Sequence, residues 1–224
     1  MRREEMKTMN GSDGHTTKQP SYSPEHMAEL KNLRQALNKH MAVCKPQRYA
    51  HSLSVATTAA SLALVYGVDP YPANCAGILH DWDKVLTSNQ QIERARALGI
   101  DLGVDMALVA NLLHGLIAAK ELPAIFPELP SCVWQAISRH TTGAMDMTDL
   151  DMVVFVADGI EPLRKETPGI KKLRSLVGKL SLSELYRQSF VSGIIYVLES
   201  GRYLYPATLE IYNALALKGE MATC

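Results

Sequence analysis

The stretch Ala76-Gly77-Ile78-Leu79-His80-Asp81-Trp82-Asp83-Lys84 ends an apolar run with an imidazole, two carboxylates and an ammonium inside five residues. Adjacent residues do not share a face along a regular helix, but at a helix end His80 and Asp81 can both turn toward one ion, with Lys84 placed beside them. Neutral imidazole with carboxylate suits a first-row transition metal, whereas a calcium or magnesium site is built mainly from oxygens. A His-Asp pair also arises by chance, so its weight depends on the other histidines of the chain.

Composition narrows the classes. At 224 residues the chain can bury a sizeable core, and a single large domain is the simplest division. Basic and acidic residues number 23 each, so no global field draws in nucleic acid or an anionic membrane, and any phosphate binding must be local. Cys44, Cys75, Cys132 and Cys224 show no paired spacing and no signal-peptide pattern lies near Met1, which fits free thiols in a reducing cytoplasm. No apolar run is expected to reach the roughly 20 residues that span a bilayer.

Upstream of the opening stretch, residues 1–22 are polar and without apolar periodicity, and are expected to form a disordered leader. Ser23-Pro24 starts a helix with Leu30, Leu33, Leu37 and Met41 along one face. His15, His26 and His40 read as solvated surface. A second helix begins near Pro46, carries His51, Val55, Thr58 and Leu62 on one face, and stops at Gly67. A third starts around Pro70 to Pro72 and delivers His80 and Asp81 at its far end. Ser88 with Gln91 reads as a capping box for a helix stopped at Gly99.

Downstream, the segment from Asp105 through Leu113 is apolar nearly all round and reads as a buried element that His114-Gly115 ends or kinks. Pro130-Ser131 opens a short helix with Val133, Ile137 and His140 on one face. Thr148 with Asp151 caps another, in which Asp158 follows the run Val153-Val154-Phe155-Val156-Ala157. Thr167-Pro168 begins a basic helix, Ser183 to about Glu199 a long amphipathic one, and Pro206 the last. No strand alternation of useful length is present, so the chain is expected to be all-α.

Taken singly, His51, His114 and His140 each read as hydrogen-bonded core histidines, and Asp158 as a salt-bridged aspartate. Taken with His80 and Asp81 they form the inventory of a binuclear metal site, several imidazoles with carboxylates of which one can bridge.

The order His51, His80-Asp81, Asp158 resembles the HD-domain metal-dependent phosphohydrolase superfamily. Arg48-Tyr49-Ala50-His51-Ser52-Leu53-Ser54-Val55-Ala56 looks like the opening motif of its YqeK-like branch, the symmetrical bis(5'-nucleosyl)-tetraphosphatases. Ala76 to Asp81, Leu112-Leu113-His114-Gly115, His140-Thr141-Thr142-Gly143 and Phe155 to Pro162 are similar to that branch's later motifs, in the same order. The resemblance covers roughly residues 28–215. It implies a single HD-domain helical bundle over residues 23–224 that hydrolyses diadenosine tetraphosphate into two ADP, with a metal-activated hydroxide at a dinuclear centre that is typically iron, manganese, cobalt or zinc being alternatives.

Carried over by position, the resemblance makes His51, His80, Asp81 and Asp158 ligands of one ion, and His114 and His140, with Asp81 bridging, ligands of the second. It places the Lys84 ammonium on a phosphate oxygen or the leaving group, so that Lys84 and Asp81 are the catalytic candidates. Arg48, Arg139, Thr141 and Arg164 lie beside motif positions as candidate polyphosphate contacts. Asp83 stands where the family has a small residue and Gly159 where an aromatic is common, departures that bear on substrate fit. The partner implied is a dinucleoside polyphosphate, with no nucleic acid or membrane, and a homodimer is compatible with the sequence. Two further readings stay open: a mononuclear HD phosphohydrolase acting on nucleoside monophosphates, and a non-catalytic nucleotide-sensing module on the same fold. Cleavage of a cyclic dinucleotide is disfavoured because the chain lacks the Gly-Tyr-Pro signature of the branch that performs it.

Overall fold

Short polar side chains and prolines punctuate the helices, the long helix expected from Ser183 being capped two residues earlier, by Ser181. Ser23, Asp69, Thr148, Thr167 and Ser181 each accept a hydrogen bond from a backbone N–H in the following first turn, and proline stands in that turn in four of the first nine helices. The structure, a computed structural model, describes residues 19–221, with side chains described through residue 217. It comprises α1 (Pro24–Met41), α2 (Pro46–Tyr66), α3 (Pro70–Leu79), a 3-10 turn (Trp82–Val85), α4 (Ser88–Ala97), α5 (Met106–Val109) and a second 3-10 turn (Ala110–Leu112). There follow α6 (Leu113–Ile125), α7 (Ser131–Arg139), α8 (Asp149–Ile160), α9 (Pro168–Leu176), α10 (Leu182–Glu199) and α11 (Pro206–Met221). No strand occurs among the described residues, and the chain is all-α.

α3 forms the centre, with every side chain from Tyr71 to Leu79 buried. α2, with Ala56, Ala59, Ala60 and Ala63 buried, lies directly against it, and at Gly77 the approach is close: a Cβ there would sit 2.5 Å from the Ala56 Cα. α8 packs across α2, α3 and α7, and α10 covers it with Tyr186 and Phe190 against Phe155. Each fully buried side chain such as Ile78 or Leu79 contributes about 1.5–3 kcal/mol by leaving water. A smaller cluster of Ala95, Ile100, Met106, Leu113 and Ile117 ties α4 to α6.

Several expectations change in detail. Of the leader over 1–22, residues 1–18 lie outside the described residues. Tyr22, however, packs on the core, and its hydroxyl accepts from Asn74 Nδ2 at 2.9 Å. The capping box of α4 is Thr87 with Gln90, one position before the expected pair, because Thr87 is the extended residue and Gln91 turns to donate to the Leu86 carbonyl. The apolar element from Asp105 is not one helix that His114 ends. Val109 breaks it and the chain tightens into a 3-10 turn, so that His114 lies in the first turn of α6. Met106–Ile125, at 20 residues and mean hydropathy 1.3, does reach membrane-spanning length by composition, contrary to expectation. It serves as a core element here, with Leu113, His114, Gly115, Ile117, Ala118 and Leu122 buried against the other helices. His26 and His40 are not merely solvated: His26 stacks on Tyr71 and His40 on Trp82, and the His40 Nε2 lies 3.0 Å from the Trp82 carbonyl oxygen.

Candidate metal centre

Five elements bring six side chains together. His51 projects from the second turn of α2, His80 and Asp81 follow the last turn of α3, and His114 lies in the first turn of α6. His140 caps the end of α7, and Asp158 lies in the last turn of α8. Around the Asp81 carboxylate the imidazoles divide into two groups. Its Oδ2 lies 3.7 Å from the Nε2 of both His51 and His80, and its Oδ1 lies 3.0 Å from His114 Nε2 and 3.9 Å from His140 Nε2. Asp158 Oδ1 joins the first group, 3.0 Å from His51 Nε2 and 3.9 Å from His80 Nε2. Ligand-type atoms of His51, His80 and Asp158, and of His80, Asp81 and His140, form two sets each close enough to hold an ion.

The other ring nitrogen of each histidine fixes its orientation. His80 Nδ1 donates to the Gly77 carbonyl at 2.8 Å, His114 Nδ1 to that of Asn111 at 3.1 Å, and His140 Nδ1 to that of Ile137 at 2.6 Å. All three acceptors stand three residues earlier, at helix ends or in a 3-10 turn, where carbonyls are free of the α-helical ladder. His51 is inside a helix, where carbonyls are occupied, and its Nδ1 instead meets the Glu161 carboxylate at 3.0 Å. A carbonyl can only accept, so Nδ1 carries the hydrogen in those three rings and each Nε2 presents a lone pair to the centre. His114 Nε2 and His140 Nε2 then face one another at 3.0 Å, and the buried Nε2 atoms of His51 and His80 lack a hydrogen-bond partner. Facing lone pairs repel, and a cation between them removes the repulsion; the donor set therefore fits a metal.

The protonation states of the His114 and His140 pair agree, whereas at His51 burial is outweighed by Asp158, Glu161 and Asp81, which raise it. Burial holds His140 down at about 3, helped by the charges that His114 and His80 would carry, and burial lowers His114 as well. Both stay neutral near pH 7, the form that ligates. Burial alone would raise Asp81, but the attraction of its carboxylate for the His80, His114 and His140 rings in their protonated form outweighs it and holds the carboxyl well below the usual range. For Asp158 the same contest is decided by His51 and Arg164, again downward.

Three cations stand around the cluster. Arg48 Nη1 donates to Asp81 Oδ2 at 3.0 Å, Arg164 donates to Asp158 Oδ1, and their side chains remain 43% and 38% exposed. Lys84 donates to the Asn111 carbonyl at 3.3 Å and feels the charges of Asp81 and Asp158. Thr141 Oγ1 lies 3.5 Å from the Leu112 carbonyl, near the His114 segment. Arg139 is not brought to the cluster. Its guanidinium is engaged by Asp151 at 2.8 Å and by Asp146 at 3.0 Å, pinning α7 to the start of α8. Asp83 faces away, buried near Glu121 and Arg94, and burial first, then the Glu121 charge, raises its carboxyl to about 7. Gly159 lies 3.4 Å from Ser189 Oγ at the position a Cβ would take, an ordinary contact.

Two contributors carry no assigned role in the sequence reading. Glu161 is 1% exposed, and accepts from His51 through Oε1 and from the Leu163 N–H through Oε2 at 2.6 Å. Its signal was its place three residues after Asp158, directly before Pro162. Gly115 lets α6 meet α7: a Cβ there would lie 2.7 Å from both His140 Cε1 and the Ile137 oxygen.

An all-helical bundle with histidines and aspartates converging from helix ends defines the class, and the chain belongs to the HD domain family, whose model matches residues 48–163. Within that family it is similar to the symmetrical bis(5'-nucleosyl)-tetraphosphatase of Halalkalibacterium halodurans, 34% identical over 189 residues, which are 80% of this chain and 97% of that protein. The Staphylococcus aureus protein of the same name is 32% identical, covering 75% of this chain and 86% of its own. Among solved structures, a Clostridium acetobutylicum protein described as a predicted HD superfamily hydrolase involved in NAD metabolism matches with a TM-score of 0.75 and 30% identity. That match covers 90% of this chain and all of the other. HD-domain membership carries divalent-metal binding with it, and the histidine and aspartate cluster offers the ligands.

Proposed function

We propose that this chain is a metal-dependent phosphoric anhydride hydrolase that cuts dinucleoside tetraphosphates symmetrically, diadenosine tetraphosphate giving two ADP. The observation that supports it most is Asp81, whose two oxygens each face a separate pair of imidazoles. His51, His80, Asp158 and Asp81 would hold one cation, and His114, His140 and Asp81 a second. Bound there, two cations supply a water of lowered pKa and polarise a phosphoryl oxygen. A donor set of imidazole and carboxylate without thiolate suits iron, with manganese, cobalt or zinc as substitutes.

The chain's own groups then bind and orient the polyphosphate. Arg48 and Arg164 stand at the solvent side on Asp81 and Asp158, and bidentate guanidinium groups suit phosphate oxygens. The Lys84 ammonium, beside the cluster, meets the charge that accumulates on the attacked phosphate or the leaving group. Thr141, whose hydroxyl lies 3.5 Å from the Leu112 carbonyl beside the His114 segment, is a further candidate contact. The partner is a dinucleoside polyphosphate, and the exposed apolar side chains of α10 and α11, such as Leu198 and Leu209, suit a homodimer. The unpaired Cys44, Cys75 and Cys132 suit the cytoplasm.

A mononuclear site would need only the first ligand group, and it leaves His114 and His140 at Asp81 Oδ1 without a purpose. Chromatography of products from diadenosine tetraphosphate tests the proposal. ADP alone is expected, because water attack at an inner phosphorus leaves two phosphates on each adenosine. ATP with AMP would refute symmetrical cleavage, and no cleavage across several metals would favour a nucleotide-sensing module.

A further inference from the structure

The two halves of the cluster differ in donors, in charge and in what stands behind them. Four atoms face the first position: His51 Nε2, His80 Nε2, Asp158 Oδ1 and Asp81 Oδ2. Three face the second: His114 Nε2, His140 Nε2 and the other oxygen of Asp81. Behind His51 lies the full negative charge of Glu161, 1% exposed and hydrogen-bonded to Nδ1 at 3.0 Å. A carboxylate in that place makes the imidazole a stronger donor. Behind His114 and His140 lie only the carbonyls of Asn111 and Ile137.

The Asn111 carbonyl, moreover, is shared. It accepts from His114 Nδ1 at 3.1 Å and from Lys84 Nζ at 3.3 Å, so Lys84 draws on the electron density that would strengthen His114 and sets a positive charge beside the second position. Arg48 and Arg164 also bring positive charge, to the carboxylates of the first position. They reach it from the solvent side, where water screens them and lets them withdraw, whereas Glu161 is fixed in the interior.

We infer that the two ion positions are unequal and fill in order, the His51 position first and tightly, the His114 position second and weakly, with Glu161 and Lys84 as the positioning residues that set the difference. The inference rests on the two-ion reading above. It makes the second ion the exchangeable one, since three protein donors face that position against four at the first.

Calorimetric titration of the metal-free full chain with Mn²⁺ tests it without reference to turnover. Two steps are expected, separated by about tenfold or more in Kd. Lys84→Met, which keeps the aliphatic stem, should tighten the second step several-fold and leave the first unmoved. Glu161→Gln should weaken the first step by about tenfold or more and leave the second unmoved. The Lys84 variant alters a half-buried side chain beside the cluster and remains informative if the buried Glu161 substitution impairs folding. Two steps of equal affinity, or a second step indifferent to Lys84→Met, would overturn the order of filling while the two-ion centre stands. Uptake of a single ion by the folded wild type would overturn both.

Discussion

Gly115→Ala is a one-methyl change whose effect on function should exceed its effect on stability. The added Cβ would lie 2.7 Å from His140 Cε1 and from the Ile137 oxygen, and 2.9 Å from His140 Nδ1. Ordinary contacts between carbon atoms fall at about 3.5–4.0 Å, so α6 and the His140 ring must separate by about 1 Å. Overpacking of this kind costs about 1–3 kcal/mol, offset by up to about 1 kcal/mol from replacing glycine in a helix, for a net loss of about 0–3 kcal/mol. Function suffers more, because the displaced groups are His140 and the carbonyl that orients it at 2.6 Å. A misplacement of about 1 Å at a reacting centre can cost about 10²-fold in rate. Urea denaturation, metal content per chain and the rate of ADP formation should be measured together. Gly193→Ala is the matched control: it lies within α10 with nothing within 4 Å of the new methyl, and should gain up to about 1 kcal/mol with turnover unchanged. A Gly115→Ala enzyme with wild-type metal content and rate would refute the claim that this contact holds His140 in place.

Asp83→Asn should stabilise the chelated, metal-free protein at pH 8. A carboxyl raised to about 7 in the folded state opposes folding as pH climbs from about 4 to about 7, so the gain of about 2–4 kcal/mol should shrink as pH falls toward 4; equal gains at pH 5 and pH 8 in urea melts would contradict this. With saturating metal, Lys84→Ala should lower kcat by about 10²-fold or more while both positions remain filled, and Lys84→Arg should restore only part, since guanidinium and ammonium differ in shape. Unchanged kcat in Lys84→Ala would remove the ammonium from the mechanism. Deleting residues 1–18 should leave the urea midpoint unchanged, whereas deleting 1–22 removes the Tyr22 hydroxyl from Asn74 and should cost about 1–3 kcal/mol; equal midpoints would show that this contact contributes nothing.

The helix pattern was legible because its signals are local. Ser23, Thr148 and Thr167 cap helices through groups within three residues of themselves, and no distant partner is needed to read them. Errors fell where two local options compete. Thr87 and Ser88 are both good caps followed by a glutamine three positions on, and only the extended conformation of Thr87 decides between them. Arg139 differs for another reason: neighbours on a helix point about 100° apart, so standing beside His140 in sequence does not put its guanidinium beside the imidazole. There it meets Asp146 and Asp151 instead.

The same distinction explains which parts of the cluster could be read. His80, His114 and His140 each donate Nδ1 to a carbonyl three residues back, so a histidine at a helix end comes oriented by its own turn. At His80 and His140 such a residue is recognisable from an apolar stripe that stops at a histidine. His51 stands inside α2, where every carbonyl within reach serves the helix, and a ring there must find a partner from elsewhere in the fold. That partner is Glu161, 110 positions away in the chain, and no spacing within α2 could announce it. The need for a long-range orienting group is thus a consequence of putting one ligand in mid-helix, and it puts an added negative charge beneath one side of the cluster only. The asymmetry of the centre follows from where each histidine sits along its helix, before any difference in ligand type is considered.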